Sequence, residues 1–467
     1  MRGGYWPPQL ILALMSLFTA TLTSILDRQP PAPRYWIAYS GGIDSQVLLH
    51  ACSELKARRP DLDFAAVHVH HGLQAAAEQW AEFCEASCRE LGIQYRLLRV
   101  NAAAKPGQSP EEAARSARYQ ALRALLSEGE VVLTAQHRDD QAETLLLQLF
   151  RGAGIAGLAA MPERADFGPG FLMRPFLTFS RAQLCEYAES HGLAWIEDPS
   201  NLDLRFDRNF IRHEVIPLLE KRWPSTKDAL ARTARHCAEA QALLDSLAEN
   251  LLKSVLHPER NTLDLDRLRT YSQPDGRLIL REWLRSRGFR MPSTRVIDRA
   301  LDEALSARPD RNPTIRWSEG EIRRYRGELF LMPVAPPFHP HEIIPWDGIS
   351  TLRLPDQNGD LSVTHEKRAG ISREAWRSGT ITVRYRQGGE RMRLPSRDGS
   401  HELKKLFQEA GIPPWIRERT PLVYIDNELA SVAGLWLSDS YAGKPDDTNV
   451  VIRWRAPDGF SGATFLS

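Results

Sequence analysis

Apolar and polar residues follow two periods along the first half of the chain. Short strand-like runs lie at Tyr35-Trp36-Ile37-Ala38-Tyr39, Phe64-Ala65-Ala66-Val67-His68-Val69-His70, Tyr95 to Val100 and Val131 to Ala135. Between them, stretches with helical spacing occupy 45–58, 74–91, 110–127 and 139–151. This alternation predicts a parallel sheet with helices on both faces, and such sheets carry their chemistry at the carboxyl ends of the strands. The pattern changes after about residue 217. Ala229, Leu230, Ala238, Leu243, Leu244, Leu247, Leu251 and Leu252 keep helical spacing over 225–256, with further helices expected at 275–287 and 295–306. A strand-like stretch follows at Ile315, Trp317 and 328–332, and Pro333, Pro336, Pro337 and Pro340 mark a boundary. Residues 341–380 read as short strands and turns, and 381–456 as strands with one helix at 401–411. The expected division is an extension and linker (1–33), an α/β unit (34–220), a mainly helical middle (221–335), a connecting segment (336–380) and a small mixed α+β unit (381–467).

The apolar stretch from Leu10 to Leu26 is at or below the length a membrane span needs, and serines and threonines interrupt it. Arg2 alone precedes it as a positive charge, a poor match to a secretory leader. Leu17, Phe18, Leu22, Ile25 and Leu26 suit one face of a helix packed on the following unit. The expectation is a cytoplasmic protein with no membrane association. A start at Met15 rather than Met1 stays open. The 467 residues carry a formal charge of +1, so any contact with a polyanion must be a local patch. Cys52, Cys84, Cys88, Cys185 and Cys237 show neither a disulfide framework nor a C-x-x-C pair, which suits a reducing compartment.

Chemistry concentrates in a few strings. Ser40-Gly41-Gly42-Ile43-Asp44-Ser45 stands between a strand and a helix. Glycines let the backbone come close to a phosphate, and helix-start amides point at it. No Lys-Ser/Thr pair follows, so this is not a Walker A loop. His68-Val69-His70-His71 ends the second strand, either as solvated histidines or as a wall of a binding site. Arg115, Arg118 and Tyr119 lie on a helix. Glu111 and Arg115 form an i,i+4 pair that stabilises it, and the alternative is that the arginines hold phosphate or RNA. His137, Asp139, Asp140 and Glu143 join the fourth strand to a helix. One helix cap explains one aspartate. The group as a whole suits Mg²⁺ or a cationic substrate. Arg174 and the run Arg208-Asn209-Phe210-Ile211-Arg212 form a basic rim, equally readable as solvated surface.

Taken together these strings resemble the tRNA(Ile)-lysidine synthases, within the PP-loop ATP pyrophosphatases. The carriers are SGGIDS, HVHHGL, E-x-x-x-A-R-x-x-R-Y, TAQHRDDQAET, RGAG-x-x-GL-x-x-M and WIEDPSN followed by RN-x-IR, in family order over 34–217. Arg384, Gly388-Gly389-Glu390-Arg391, Lys404-Lys405-Leu406-Phe407 and Ile412-Pro413-Pro414-Trp415 extend the likeness to the last unit. His70 and Arg138 depart from the usual Asn and Leu. The resemblance implies a Rossmann-like parallel sheet, a helical middle and a C-terminal tRNA-binding unit. It implies ATP and Mg²⁺ as cofactors, with free L-lysine and the isoleucine tRNA of CAU anticodon as partners. The wobble cytidine is adenylated with loss of pyrophosphate, and lysine then displaces AMP.

The resemblance implies roles as well. Ser40, Gly41, Gly42, Ile43, Asp44 and Ser45 hold ATP, with Asp44 also on the metal. Asp44, Arg115 and Asp140 are catalytic. His71, His137, Asp139, Asp140, Glu143, Arg174 and Arg208 bind substrate, and Arg384, Arg391, Lys404, Lys405 and Trp415 bind tRNA. A homodimer is compatible with the sequence, which does not fix the oligomeric state. The nearest rivals are another PP-loop tRNA-modifying enzyme or an amide-forming synthetase. An iron–sulfur thiolase needs C-x-x-C pairs that the chain lacks. A metal hydrolase and a non-catalytic tRNA-binding protein are the other classes.

Overall fold

The computed structural model describes residues 8–71, 77–101, 110–308, 312–334, 336–395 and 397–457, excepting the side chains of 8–16 and 110–112. The described chain falls into two compact units, 1–243 and 244–467.

The first unit runs α1 (Pro8–Asp27), β1 (Tyr35–Ala38), α2 (Ile43–Arg58), β2 (Phe64–His70), α3 (Ala77–Glu90), β3 (Gln94–Arg99), α4 (Pro110–Leu125), β4 (Val131–Leu133), α5 (Arg138–Phe150), α6 (Ile155–Leu158), β5 (Arg164–Phe167), β6 (Gly170–Met173) and α7 (Arg181–Ser190). After a 3₁₀ turn come α8 (Asp207–Phe210), a π-helical turn at Ile211–Val215, α9 (Ile216–Arg222) and α10 (Thr226–Val255), which continues into the second unit. The sheet order is β3-β2-β1-β4-β6-β5, and every pairing is parallel except the β5–β6 hairpin. The chain adds strands on one side of β1 and then crosses to place β4 on the other. This topological switch opens a crevice at the carboxyl ends of β1 and β4.

Strand period two sorts the side chains. Tyr35, Ile37, Phe64 and Ala66 enter one core with α2 and α7, whereas Trp36, Ala65, Val67 and Val69 enter a second with Leu122 of α4 and Leu126 just beyond its end. Phe18, Leu22, Ile25 and Leu26 of α1 are buried in the first core, with Phe18 stacked 4.0 Å from Phe179. Leu17 instead points outward, 44% exposed, so four of the five expected positions make the buried face. Among the described residues no helix is long and apolar enough to cross a membrane. The β5–β6 hairpin and α7 do not stand out as periodic runs in the sequence, because both are short.

In the second unit, α11 (Leu265–Leu268), α12 (Gln273–Ser286) and α13 (Thr294–Ser306) pack on a five-stranded antiparallel sheet. Its strands are β7 (Leu256–His257), β8 (Thr262–Asp264), β9 (Thr314–Arg316), β10 (Gly320–Tyr325) and β11 (Glu328–Pro333). The middle thus carries more sheet than its sequence suggests. β7 and β8 are too brief to show a period. β10 reads as polar because Glu321 is fully buried, with Arg316 and Arg323 at 2.8 and 2.7 Å. The remainder is β-rich and antiparallel: β12 (Ile344–Trp346), β13 (Leu352–Arg353), β14 (Asp360–Lys367), β15 (Ile381–Arg384), β16 (Arg391–Arg393), β17 (Ser400–Glu402), β18 (Leu422–Ile425), β19 (Glu428–Val432), β20 (Trp436–Leu437) and β21 (Thr448–Arg455). Three short helices join them, α14 (Arg373–Ser378), α15 (Leu403–Glu409) and α16 (Pro414–Arg417).

Candidate active site

The turn after β1 is built from inside. The Ser45 hydroxyl accepts from the Ser40 amide at 3.2 Å and donates to the Gly42 carbonyl at 2.9 Å. Ser45 is buried, so it braces the turn, while Ser40 is exposed at its rim. Gly41 has φ +82°, and a Cβ there would lie 2.6 Å from Ile196 Cδ1 and 3.1 Å from Cys84 Sγ. The Ile196 amide also donates to the Gly41 carbonyl at 2.9 Å. Gly42 differs. Its φ is −74°, and a Cβ would meet only the Ser40 hydroxyl at 3.6 Å. Packing requires glycine at 41, whereas at 42 glycine leaves bare backbone beside Ser40. Gly42 caps α2, whose first amides have no intrahelical acceptor and face an anion favourably.

The turn after β4 faces this loop. His137 caps α5 and is 1% exposed. Its Nε2 lies 3.7 Å from Asp44 Oδ2 and 3.5 Å from Asp140 Oδ2, and its Nδ1 lies 3.8 Å from Asp139 Oδ2. Burial opposes a charge on the ring, but Asp44, Asp140 and Asp139 together hold its pKa above the ordinary histidine value. Asp140 Oδ2 accepts from the His137 amide at 3.0 Å and so also does a cap's work. Asp139 turns the other way. It accepts from the Arg181 amide at 2.9 Å and pairs with Lys227 Nζ at 2.9 Å. These partners outweigh burial and hold its carboxyl below the usual range.

Glu143, one turn along α5, is 1% exposed and carries two arginines. Arg208 Nε meets its Oε2 at 2.7 Å, and Arg212 Nε meets its Oε1 at 2.6 Å. Both guanidiniums reach Asp140 Oδ1, at 3.2 and 3.3 Å. The π turn at Ile211–Val215 follows α8 directly and carries Arg212, and both arginines converge on one acid pair. Sequence reading placed Arg208 and Arg212 together on a basic rim and gave a substrate-binding role to Arg208 alone, although the RNFIR spacing of four contains both. Lys227 was also missed, since nothing in its neighbourhood signals chemistry. Among the described residues four carboxylates thus face three permanent cations, and Asp44 Oδ1 is buried with no hydrogen-bond partner.

The remaining expected residues are more scattered. Among the described residues His71 Nδ1 is buried without a partner, and burial, then Arg118, pushes its pKa down to about 4. Arg174 is buried, donates to the Pro162 carbonyl at 2.8 Å, and is lowered by burial. Arg115 is exposed over the Tyr119 ring, 4.8 Å from its centroid. The side chain of Glu111 lies outside the described residues. A pocket of about 490 Å³ borders the back of the acid cluster, lined in part by Arg138, Asp139, Arg181, Glu220, Lys227 and Asp228.

Comparison with known proteins assigns this arrangement. A PP-loop domain model matches residues 15–219, a TilS substrate binding domain model 263–330, and a TilS substrate C-terminal domain model 381–454. The tRNA(Ile)-lysidine synthase of Methylococcus capsulatus is 46% identical over 91% of this chain and 97% of that protein. The chain belongs to the tRNA(Ile)-lysidine synthase family. The synthase of Coxiella burnetii is 40% identical over 92% of this chain and 93% of its own length. Among solved structures, the U34-tRNA thiolase NcsA from Methanococcus maripaludis is similar at TM-score 0.42 and 17% identity, covering 49% of this chain and 80% of that one. As a family member the chain is an ATP-dependent ligase of the lysidine synthase type.

The C-terminal candidates of this lysidine synthase family member divide into two groups. Lys404, Lys405 and Arg391 are exposed. Arg384 stacks 4.5 Å over Tyr424 and bonds Asn427. Trp415 is interior. It is 7% exposed, packs edge-on against Tyr325 and Phe330, and lies under Arg323. Arg417 and Arg419 are buried too, with Arg417 bonded to the Ile412 carbonyl and the Tyr325 hydroxyl. The basic surface is therefore smaller than the count of arginines and lysines suggests.

Proposed function

We propose that the crevice between β1 and β4 ligates lysine to C2 of the wobble cytidine of the CAU-anticodon isoleucine tRNA in two steps. In the first, cytosine O2 attacks the α-phosphorus of ATP, the Pα–O bond to the leaving group breaks, and pyrophosphate departs. Amides of Gly41, Gly42 and Ile43, with Ser40, bind the pyrophosphate portion, where negative charge grows. The buried, unpartnered Asp44 Oδ1 is an oxygen donor that fits Mg²⁺, which when bound supplies charge neutralisation on the phosphates. Arg115 and Arg174 balance the α-phosphate, and His71 lines the base. An anticodon loop presents its unstacked cytosine at little cost.

In the second step the lysine ε-amine attacks C2 and AMP leaves. The amine arrives as an ammonium and must shed a proton. The surplus of carboxylates over permanent cations around His137 favours one added cation, and Asp140 and Glu143, oriented by Arg208 and Arg212, receive it. Asp139, paired with Lys227, sits behind them, and His137 relays the proton. The division of labour follows the chain: 34–220 performs catalysis, while Arg384, Arg391, Lys404 and Lys405 within 381–467 contact tRNA phosphates. Nucleotide, free lysine and tRNA as substrates make the cytoplasm its place. A homodimer remains a proposal that sedimentation equilibrium tests.

The observation that carries this reading is the bare Gly42 backbone at the start of α2, facing a carboxylate–histidine cluster across the switch point. Incubation with ATP, labelled lysine and the tRNA transcript should transfer label only when the wobble base is cytidine. No transfer by folded protein would refute it. Asp44→Asn should abolish tRNA-dependent ATP–pyrophosphate exchange while leaving the melting temperature unchanged.

A further inference from the structure

A second cluster lies on the same helix, two turns beyond the phosphate-facing start of α2. His50 and Glu54, four residues apart on α2, face His191, the residue that caps the end of α7. One ligand atom from each lies within 4.8 Å of the others. A tetrahedral ion with bonds of about 2.0–2.2 Å sets its ligands about 3.3–3.6 Å apart, so modest side-chain rotation closes the set.

Tyr187 prepares both rings. The His191 Nδ1 donates to the Tyr187 carbonyl at 2.8 Å, which leaves Nε2 as the nitrogen carrying the lone pair. That Nε2 is buried and has no hydrogen-bond partner among the described residues. A lone pair aimed inward with nothing to accept is what a structural histidine avoids. The Tyr187 hydroxyl meets His50 Nδ1 at 2.9 Å and donates to Glu54 Oε2 at 3.3 Å, and Thr19 of α1 donates to the same oxygen at 2.8 Å. The second oxygen of Glu54 is left for a ligand. Each histidine thus has its Nδ1 engaged by Tyr187, the arrangement that orients metal-binding imidazoles. His₂Glu is a donor set suited to Zn²⁺ with an open fourth position, and all three residues are only half-buried.

We propose that His50, Glu54 and His191 bind a divalent cation of the Zn²⁺ class that ties α2 to α7. The tie matters because both helices begin at the catalytic crevice. α2 starts at the glycine turn, and α7 starts at Arg181, whose amide holds Asp139. The ion would fix the spacing of those two starts from the middle of α2 and the far end of α7.

The test uses the untagged full chain, stripped with a chelator and titrated with Zn²⁺ against a competing indicator, with Co²⁺ as a spectroscopic probe. One more Zn²⁺ should bind per chain in the parent than in His191→Gln. The parent alone should show the intense visible bands of tetrahedral Co²⁺. Tyr187→Phe should weaken Zn²⁺ binding about 10–100-fold. Zn²⁺ should raise the melting temperature of the parent but not of Glu54→Gln. Equal Zn²⁺ stoichiometry and equal thermal response in the parent and in folded His191→Gln or Glu54→Gln would overturn the proposal.

Discussion

The guanidinium of Arg212 meets both carboxylate oxygens of Glu143, at 2.6 and 3.0 Å. Glu143 is almost fully buried, and this contact and Arg208 from the other side pair its carboxylate. Arg212→Gln should leave one charged partner and one half-satisfied carboxylate. The expected loss is about 1–3 kcal/mol of unfolding free energy, the cost of stranding part of a buried charged group. Urea denaturation measures it. The same variant should raise the KM for lysine more than it alters ATP binding, because in the proposed reaction the acid pair it orients receives the nucleophile. An unchanged lysine KM would separate Arg212 from the reaction and leave it a structural residue.

The two glycines of the first turn should behave differently. Gly41→Ala places a Cβ at φ +82° and 2.6 Å from Ile196 Cδ1. A left-handed alanine costs about 1–2 kcal/mol before the clash is counted, so melting temperature and ATP binding should both fall. Gly42→Ala meets only the Ser40 hydroxyl, at 3.6 Å. It should melt close to the parent yet bind ATP more than about tenfold more weakly, or roughly 1.4 kcal/mol. Calorimetry and nucleotide titration on the two variants check both halves. Normal ATP affinity in Gly42→Ala would place the phosphates elsewhere.

Much of this site was readable from residue order because it sits where strand ends meet helix starts. Gly41, Asp44, His137 and Asp140 are local in sequence to β1 and β4, and an alternating pattern brings those strands side by side. The places of Arg212, Lys227 and Ile196 at the crevice were not legible. Each reaches the crevice through tertiary packing, from a π turn, the start of a long helix and an irregular loop respectively. The same limit explains β10. Glu321 is charged, yet ion pairing with Arg316 and Arg323 at full burial places it in the strand's interior. Charge content signals exposure only when no partner lies across the sheet.

His71 gives a pH signature. Burial and Arg118 lower its pKa from the ordinary 6.5 to about 4, so between those values the unfolded chain takes a proton that the folded one refuses. The contribution to stability is present above about pH 6.5 and is lost as pH falls toward 4. The parent should therefore lose stability relative to His71→Gln over that window. Urea unfolding at several pH values measures the difference. A constant difference would mean that His71 titrates normally.

Trp415 and the lysines of α15 should separate folding from tRNA binding. Trp415 lies between Tyr325, Phe330 and Arg323, and Trp415→Ala should cost about 3–5 kcal/mol through the cavity it leaves. Lys404 and Lys405 are exposed, so replacing both with Ala should not move the melting temperature. Phosphate contacts release counterions, and each one lost flattens the dependence of log K on log salt by about one unit. Filter binding of the tRNA at several salt concentrations should give the double variant weaker binding and a shallower slope. An unchanged slope would remove α15 from the phosphate surface and shift the search to Arg384 and Arg391 on β15 and β16.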